Sequence, residues 1–240
     1  MNPLIMIPAR MAATRLPNKP LADIGGKPMI VRAWEQAALS GFRVAVAAGD
    51  PEIVEAVEAA GGLAVLTDPD LPSGSDRIRA AVEAVDPDGA HDLVINIQGD
   101  MPFASPGLAR ACADLLAGEP ACDIATLVAA EADASDRSNP DVVKAVLALP
   151  EGETSGRALY FTRSTLYGDG PIWRHVGIYG YRREALMRFC AAPPSPLERR
   201  EKLEQLRALE MGLQIWASAI DEAPLSVDNP ADLEAARKLA

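Results

Sequence analysis

The first 130 residues alternate between two hydrophobic periods. Short apolar runs at Leu4–Ile7, Val44–Ala47, Leu63–Leu66, Leu93–Ile97 and Ile124–Val128 have the length and β-branched content of buried strands. Between them lie amphipathic stretches of helical length, such as Met29–Leu39 and Ile53–Ala60, so the pattern predicts the order βαβαβαβαβ. Runs that are apolar at successive positions predict strands covered on both faces, hence a mostly parallel central sheet with helices on both sides. Helix starts carry a capping residue followed by proline at Asp50-Pro51, Ser105-Pro106, Ser195-Pro196 and Asn229-Pro230. Ser195 and Glu198 also have capping-box spacing, which predicts a helix over 196–211.

Beyond about residue 130 the rhythm changes. Strand-like segments Val142–Leu147, Ala158–Thr162 and Val176–Tyr181 follow one another without a long helix between each pair, which predicts a smaller antiparallel extension. Residues 150–157 and 167–171 are Gly-rich enough to form exposed loops, and no linker or repeat divides the chain. The expected organisation is α/β, as a single domain over 1–240.

The 240 residues suffice to bury a core without disulfides or metal staples. A formal charge of −11 makes the surface as a whole repel nucleic acid and anionic membrane. The three cysteines form no CxxC pair, and no signal-peptide pattern or long apolar span is present, so a reduced, soluble, cytoplasmic protein without membrane insertion is expected. The charge is unevenly spread. Residues 1–32 carry Arg10, Arg15, Lys19, Lys27 and Arg32 against Asp23 alone, a local balance of +4 that suits a small anionic ligand.

Most of that charge lies in IPARMAATRLPNKPL (7–21), directly after the first predicted strand, where prolines at 8, 17 and 20 prevent a regular helix. In a doubly wound sheet the loop leaving the first strand opens into the ligand crevice. Arg10 and Arg15 suit bidentate contact with phosphate oxygens and Lys19 supplies a mobile point charge; the alternative is a solvated basic loop. Neither GxGxxG nor GxxxxGK[ST] is present, and Gly25-Gly26 reads as a turn before the first helix. A second constellation is LVINIQGD (93–100), a buried strand ending in Asp100. If that strand lies beside the first, Asp100 faces the basic loop and suits Mg²⁺, which takes few carboxylates together with phosphates and water; otherwise Gly-Asp is ordinary turn chemistry. Cations for a triphosphate and a metal-binding carboxylate together fit nucleotidyl transfer.

Motifs along the whole chain carry a resemblance. IPARMAATRLPNKPL, GGKPMI, SGSDR (73–77), NIQGD, NPDVVK (139–144), ALYFTRS (158–164), HVGIYGYRR, SPLE with LEQLR, and VDNPADL together resemble the 3-deoxy-manno-octulosonate cytidylyltransferases, also called CMP-Kdo synthetases. The resemblance implies a nucleotide-diphospho-sugar-transferase-like fold, with a mainly nucleotide-binding half over 1–129 and a mainly sugar-binding and dimerisation half over 130–240. It also implies a homodimer and Mg²⁺-dependent transfer of CMP from CTP to Kdo, with release of pyrophosphate, for lipopolysaccharide synthesis. By position, Arg10, Arg15 and Lys19 would contact the triphosphate, Arg15, Lys19 and Asp100 would act in catalysis, and Asp100 and Asp228 would hold Mg²⁺. Ser73, Gly74, Arg77 and Gln98 would help hold the nucleotide, and Arg163, His175, Tyr179, Glu204 and Gln205 would surround the sugar acid. Read locally, Asp228 is a loop carboxylate before the Asn229 cap, His175 a structural histidine, and Glu204 with Gln205 a solvated helix face. Where the family often has an acidic residue after the aspartate, this chain has Met101. Competing readings are a cytidylyltransferase for 8-amino-Kdo or a sialic acid, an NAD-dependent oxidoreductase, which the missing GxGxxG opposes, and a non-catalytic sugar-nucleotide sensor.

Overall fold

Leu4 through Ile7 have no solvent exposure in the computed structural model, which describes residues 1–12, 16–131 and 133–240. They belong to β1 (Pro3–Ala9), which opens the first of two structural units, residues 1–110 with 224–240. A small hairpin follows, β2 (Asp23–Ile24) and β3 (Lys27–Pro28). Next come α1 (Met29–Ala38), β4 (Arg43–Ala48), α2 (Pro51–Ala59), β5 (Ala64–Leu66), α3 (Gly74–Val85), β6 (Leu93–Asn96) and α4 (Pro106–Gly118), within which the units divide. The four strands of the main sheet in this unit run parallel in the order β5-β4-β1-β6, with Ile5 opposite Val44 on one side and Ile95 on the other. This placement explains the continuous apolar run of β1, since both of its faces are covered. The β2–β3 turn is made by Gly25 and Gly26, both at positive φ (57° and 80°), the two-residue hairpin geometry that side chains with a Cβ resist. Gly25-Gly26 therefore makes the turn that the sequence predicts.

The second unit, residues 111–223, contains β7 (Ile124–Ala130), β8 (Lys144–Ala148), β9 (Ser155–Thr162), β10 (Trp173–Arg182), α5 (Arg183–Ala191), α6 (Pro196–Glu201), α7 (Gln205–Glu210) and β11 (Ile215–Ile220). Its strands pair β10-β7-β11-β9-β8, and β8 also pairs with β10 at Ala145–Trp173, so the pairings close into a ring. Only β7–β11 is parallel within this ring. The antiparallel extension is thus present, but the fifth predicted strand, Ile124–Val128, belongs to it and not to the parallel set. β11 has no counterpart in the sequence reading, because IWASAI mixes small and polar residues into a short run.

The helix expected over 196–211 is two helices. Ser195 and Glu198 do form the capping box, but the helix stops at Lys202, which sits at φ 56° and donates its N–H to the Glu198 carbonyl. No Gly or Pro marks this break. Its cause is tertiary: the Glu198 carboxylate also takes two bonds from the buried Arg207 guanidinium, at 2.7 and 2.8 Å, and the chain must fold back to bring the two together.

The chain returns to the first unit with α8 (Pro230–Leu239). Val227, Leu233 and Ala236 join Ile24 and Met29 in a small apolar core, flanked by Leu16 and Phe103. This core fastens the C-terminal segment beside the β2–β3 hairpin. None of the three cysteines is in a disulfide, and no described helix is long and apolar enough to cross a membrane.

Gly156 tests the pairing in the second unit. A Cβ there would collide with the Ala148 carbonyl oxygen and approach Leu149 Cα to 2.9 Å, both backbone atoms of the paired strand and its turn. Gly156→Ala is expected to lower stability by about 1–3 kcal/mol, read as a shift of the urea midpoint at constant slope.

Candidate active site

The C-terminal ends of β1 and β6 open into one cavity in the first unit. Its walls come from Pro8 to Arg10 after β1, Lys19 on a single 3₁₀ turn (Lys19–Leu21), Ser73 and Gly74 at the start of α3, and Gln98 to Asp100 after β6. Arg15 lies outside the described residues. Gly99 keeps this wall thin: a Cβ there would stand 3.1 Å from the Pro8 carbonyl oxygen and from Ile30 Cδ1. The start of α3 is capped by Ser73, whose hydroxyl accepts from Asp76 N–H at 3.1 Å and donates to its carboxylate at 2.8 Å. The positive end of the α3 dipole therefore reaches the cavity beside the Arg10 side chain.

Arg77 also lines the cavity, yet its guanidinium is occupied. It donates to Thr67 Oγ1 at 2.5 Å, to the Asp68 carbonyl at 3.1 Å and to the Pro69 carbonyl at 3.2 Å, and only 2% of the residue is exposed. Burial and then the nearby Arg10 cation hold its pKa below the ordinary arginine value. The Asp50 and Asp68 carboxylates act on Arg77 in the opposite sense, and Arg10 adds a second cation to this wall. Gln98 Nε2 donates to Asn96 Oδ1 at 3.0 Å, which orients its amide along the strand end. Asp50 caps α2 by position only; its carboxylate instead accepts from Met11 N–H at 2.7 Å and so fastens the start of the basic loop.

At the mouth of the cavity Lys19 Nζ lies 2.7 Å from Asp100 Oδ2 and 3.2 Å from Asp228 Oδ1. Two carboxylates 128 positions apart in the chain thus converge on one cation. The Val227 N–H donates to the Asp100 carbonyl at 2.9 Å, which splices the C-terminal segment onto the end of β6. Asp232, at the third position of α8, accepts from the N–H groups of Asp228 and Asn229 at 2.8 and 3.1 Å while Asn229 caps the helix. Asp50 and Asp232 are missing from the sequence-based site. For Asp232 a signal existed, because it stands three residues after Asn229, at capping-box spacing.

The donor chemistry at this point can be tested against Mg²⁺. Among the described residues no cluster of three or more His, Cys, Asp or Glu could hold a metal unaided. Two convergent carboxylates beside a cationic pocket are the set that Mg²⁺ accepts when phosphate oxygens and water complete its octahedron. The residues present fit the ion.

The sugar-site candidates lie in the second unit. His175, partly buried on β10, packs edge-on against Phe161 with centroids 4.9 Å apart and lies 5.3 Å from the Tyr179 ring. Burial pushes the His175 imidazolium pKa down to about 4, so the ring is neutral at pH 7. Burial, then the Glu204 carboxylate, raise the Tyr179 phenol above its ordinary value, which keeps it protonated and places Glu204 close by. Glu204 stands at the N-cap position of α7, part-exposed and 3.5 Å from Arg207 Nη2, while Gln205 opens the helix and is buried, so Gln205 does not sit on the solvated helix face that the sequence alone suggested. Arg163 follows β9 and donates to the Pro140 carbonyl at 3.0 Å, while its own carbonyl accepts from Lys144 Nζ at 2.7 Å. Lys144 has no exposed surface and lies below the usual lysine pKa through burial and then Arg163. Lys144 and Phe161 are further members of this cluster that the sequence reading did not single out.

Parallel strand ends that gather arginine, lysine, a helix N-terminus and two convergent carboxylates have the parts that a nucleotidyltransferase uses. Residues 4–215 match the family model described as cytidylyltransferase. The chain is 58% identical to the 3-deoxy-manno-octulosonate cytidylyltransferase of Parvibaculum lavamentivorans, over 98% of this chain and 92% of that protein. Its identity to the protein of the same name from Rhodospirillum rubrum is 55%, over 99% and 95%. Among solved structures it resembles CMP:2-keto-3-deoxy-manno-octonic acid synthetase complexed with CTP, with a TM-score of 0.91, 37% identity, and coverage of 100% of this chain and 98% of that one. The 4-diphosphocytidyl-2C-methyl-D-erythritol synthase of Anaerococcus prevotii, at TM-score 0.66 and 11% identity over 99% and 97%, shares the fold. The chain belongs to the cytidylyltransferase family and, within it, to the 3-deoxy-manno-octulosonate cytidylyltransferases.

The depressed His175 pKa has a consequence for stability. The unfolded chain binds a proton near pH 6.5 and the folded one near 4, so the His175 contribution is present above pH 6.5 and is lost as pH falls toward 4, by roughly 3 kcal/mol in all. Urea unfolding at pH 7.0 and 4.5 should show this decline, and His175→Gln should flatten it.

Proposed function

We propose that this chain transfers CMP from CTP to 3-deoxy-D-manno-octulosonate, forming CMP-Kdo and pyrophosphate. The observation that carries the reading is the convergence of Asp100 and Asp228 on Lys19 at the mouth of a cationic cavity, in a chain with 52–58% identity to relatives named for this reaction. Those relatives do not favour an 8-amino-Kdo or sialic acid enzyme.

In this mechanism the anomeric hydroxyl of Kdo attacks the α-phosphorus of CTP and gives up its proton to solvent, the bond from that phosphorus to the bridging oxygen breaks, and pyrophosphate departs. Arg10, with Arg15, engages the triphosphate, and the α3 N-terminus adds backbone N–H donors at Ser73 and Gly74. Lys19, held by Asp100 and Asp228 at the mouth of the cavity, offers its ammonium to the phosphate oxygens, where its charge offsets what grows on the leaving group. Asp100 and Asp228 would hold Mg²⁺, which supplies charge neutralisation at the phosphate oxygens and lowers the pKa of an oxygen bound to it. Arg77 and Gln98 shape the wall that receives the nucleotide. Arg163 meets the sugar carboxylate, while neutral His175, protonated Tyr179, Glu204 and Gln205 offer hydrogen bonds to its hydroxyls. No side chain is assigned as general base. The same reading includes a homodimer acting in the cytoplasm, with CMP-Kdo passing to lipopolysaccharide synthesis.

The test is one assay: CTP, Mg²⁺ and Kdo, with 8-amino-Kdo and a sialic acid in parallel, and pyrophosphate as readout. Kdo is expected to be the preferred acceptor, and EDTA should stop turnover. Asp100→Asn should lower kcat by at least a hundredfold while leaving the circular dichroism spectrum and urea midpoint close to those of the parent. Near-normal rates for that variant at saturating Mg²⁺ would sink the assignment.

A further inference from the structure

Strand β10 carries an irregularity beside the sugar-site candidates. Along β7, Val128 and Leu127 face His175 and Val176, but the next residue, Thr126, faces Tyr179, so Gly177 and Ile178 are two extra residues bulged out of the ladder. In an unbroken strand, residues four apart lie about 13 Å from each other. The His175 and Tyr179 rings are only 5.3 Å apart, and the bulge is what closes that gap.

Thr126, which has no solvent exposure, lies at the centre of this bulge. Its hydroxyl is 2.9 Å from the Ile178 carbonyl, 3.3 Å from the Val176 carbonyl and 2.9 Å from His175 Nε2. A hydroxyl carries one proton, and both carbonyls can only accept. That proton therefore goes to a carbonyl of the bulge, and Nε2 must carry its own proton and donate it to Thr126 Oγ1. The opposite tautomer would set two lone-pair-bearing oxygens, Thr126 Oγ1 and Ile178 O, face to face at hydrogen-bond distance.

We propose that Thr126 is a positioning residue for the acid-sugar site: it holds the β10 bulge and fixes His175 as the Nε2–H tautomer, leaving Nδ1 as a hydrogen-bond acceptor for a sugar hydroxyl. The role of the site rests on the Kdo reading, whereas the tautomer rests on geometry alone. The neutral state of His175 at pH 7 agrees with it, since the ring then has a single N–H to place.

Long-range ¹H–¹⁵N correlation spectra of the full chain, labelled at its two histidines and assigned with a His91→Asn variant, read the tautomer directly. The expected result is an Nε2-protonated His175 at pH 7. Thr126→Val should mix the tautomers and raise KM for Kdo about five- to tenfold, with KM for CTP within twofold of the parent. Thr126→Ser should restore both the spectrum and the KM. An Nδ1-protonated His175 in the unaltered protein would overturn the proposal, as would a Thr126→Val protein with unchanged spectrum and unchanged KM for Kdo. If Thr126→Val does not fold, the unaltered protein and Thr126→Ser still decide. Failure of the unaltered protein to turn over Kdo would overturn the function reading instead, and the spectrum would still judge the tautomer.

Discussion

Two ionised carboxylates brought together in partly buried space repel more strongly as water is excluded, so they stay ionised together only where a cation stands between them. Lys19 meets that requirement for Asp100 and Asp228, and much of the first unit is arranged around the meeting. The 3₁₀ turn delivers Lys19, the end of β6 delivers Asp100, and the capped start of α8 delivers Asp228. Asp232 spends its carboxylate on the backbone of residues 228 and 229, which fixes where the Asp228 side chain begins. The apolar core of Ile24, Met29, Val227 and Leu233 brings the C-terminal segment to this place.

The arginines divide by what their guanidinium groups touch. Arg77, Arg182 and Arg207 are spent on carbonyl groups or on a carboxylate of the fold, where they replace backbone partners that loops do not supply. Arg10 is exposed, and its charge is felt by buried Arg77 across the cavity wall. Charge that the fold does not neutralise internally is charge offered to a ligand. In the second unit the same economy takes another form, with Lys144 and Arg163 donating to carbonyl oxygens while the Asp136 carboxylate acts on Lys144 and the Glu204 carboxylate on Tyr179.

Much of this was legible from residue order. The continuous apolar runs identified β1, β4 and β6 as strands covered on both faces, whereas the run at Leu63–Leu66 became the edge strand β5, with Leu63 and Leu66 exposed. The basic loop and Asp100 were readable as facing one another, because strand ends in this architecture open to one side. Asp228 was not legible by spacing, since a carboxylate before a helix cap has an adequate local reason to exist; the family resemblance alone pointed to it. Thr126 was hidden for a similar reason. A threonine inside ATLVAA is ordinary strand composition, and only the neighbouring strand shows that its hydroxyl faces a bulge and a histidine.

The division follows the range of the forces involved. Sequence by itself determined most strands of the first unit, caps such as Ser195 and Asn229, the Gly25-Gly26 turn and the sign of the charge at the first loop, because these depend on φ/ψ preferences and neighbours within a few residues. Tertiary structure decided that the helix breaks at Lys202, that Ile124–Ala130 joins the second unit, that Arg77 is a wall, and that residues 100 and 228 meet at Lys19. Each of these turns on partners distant in the chain, whose pairing is set by burial and charge compensation over the whole fold and leaves no mark on local sequence.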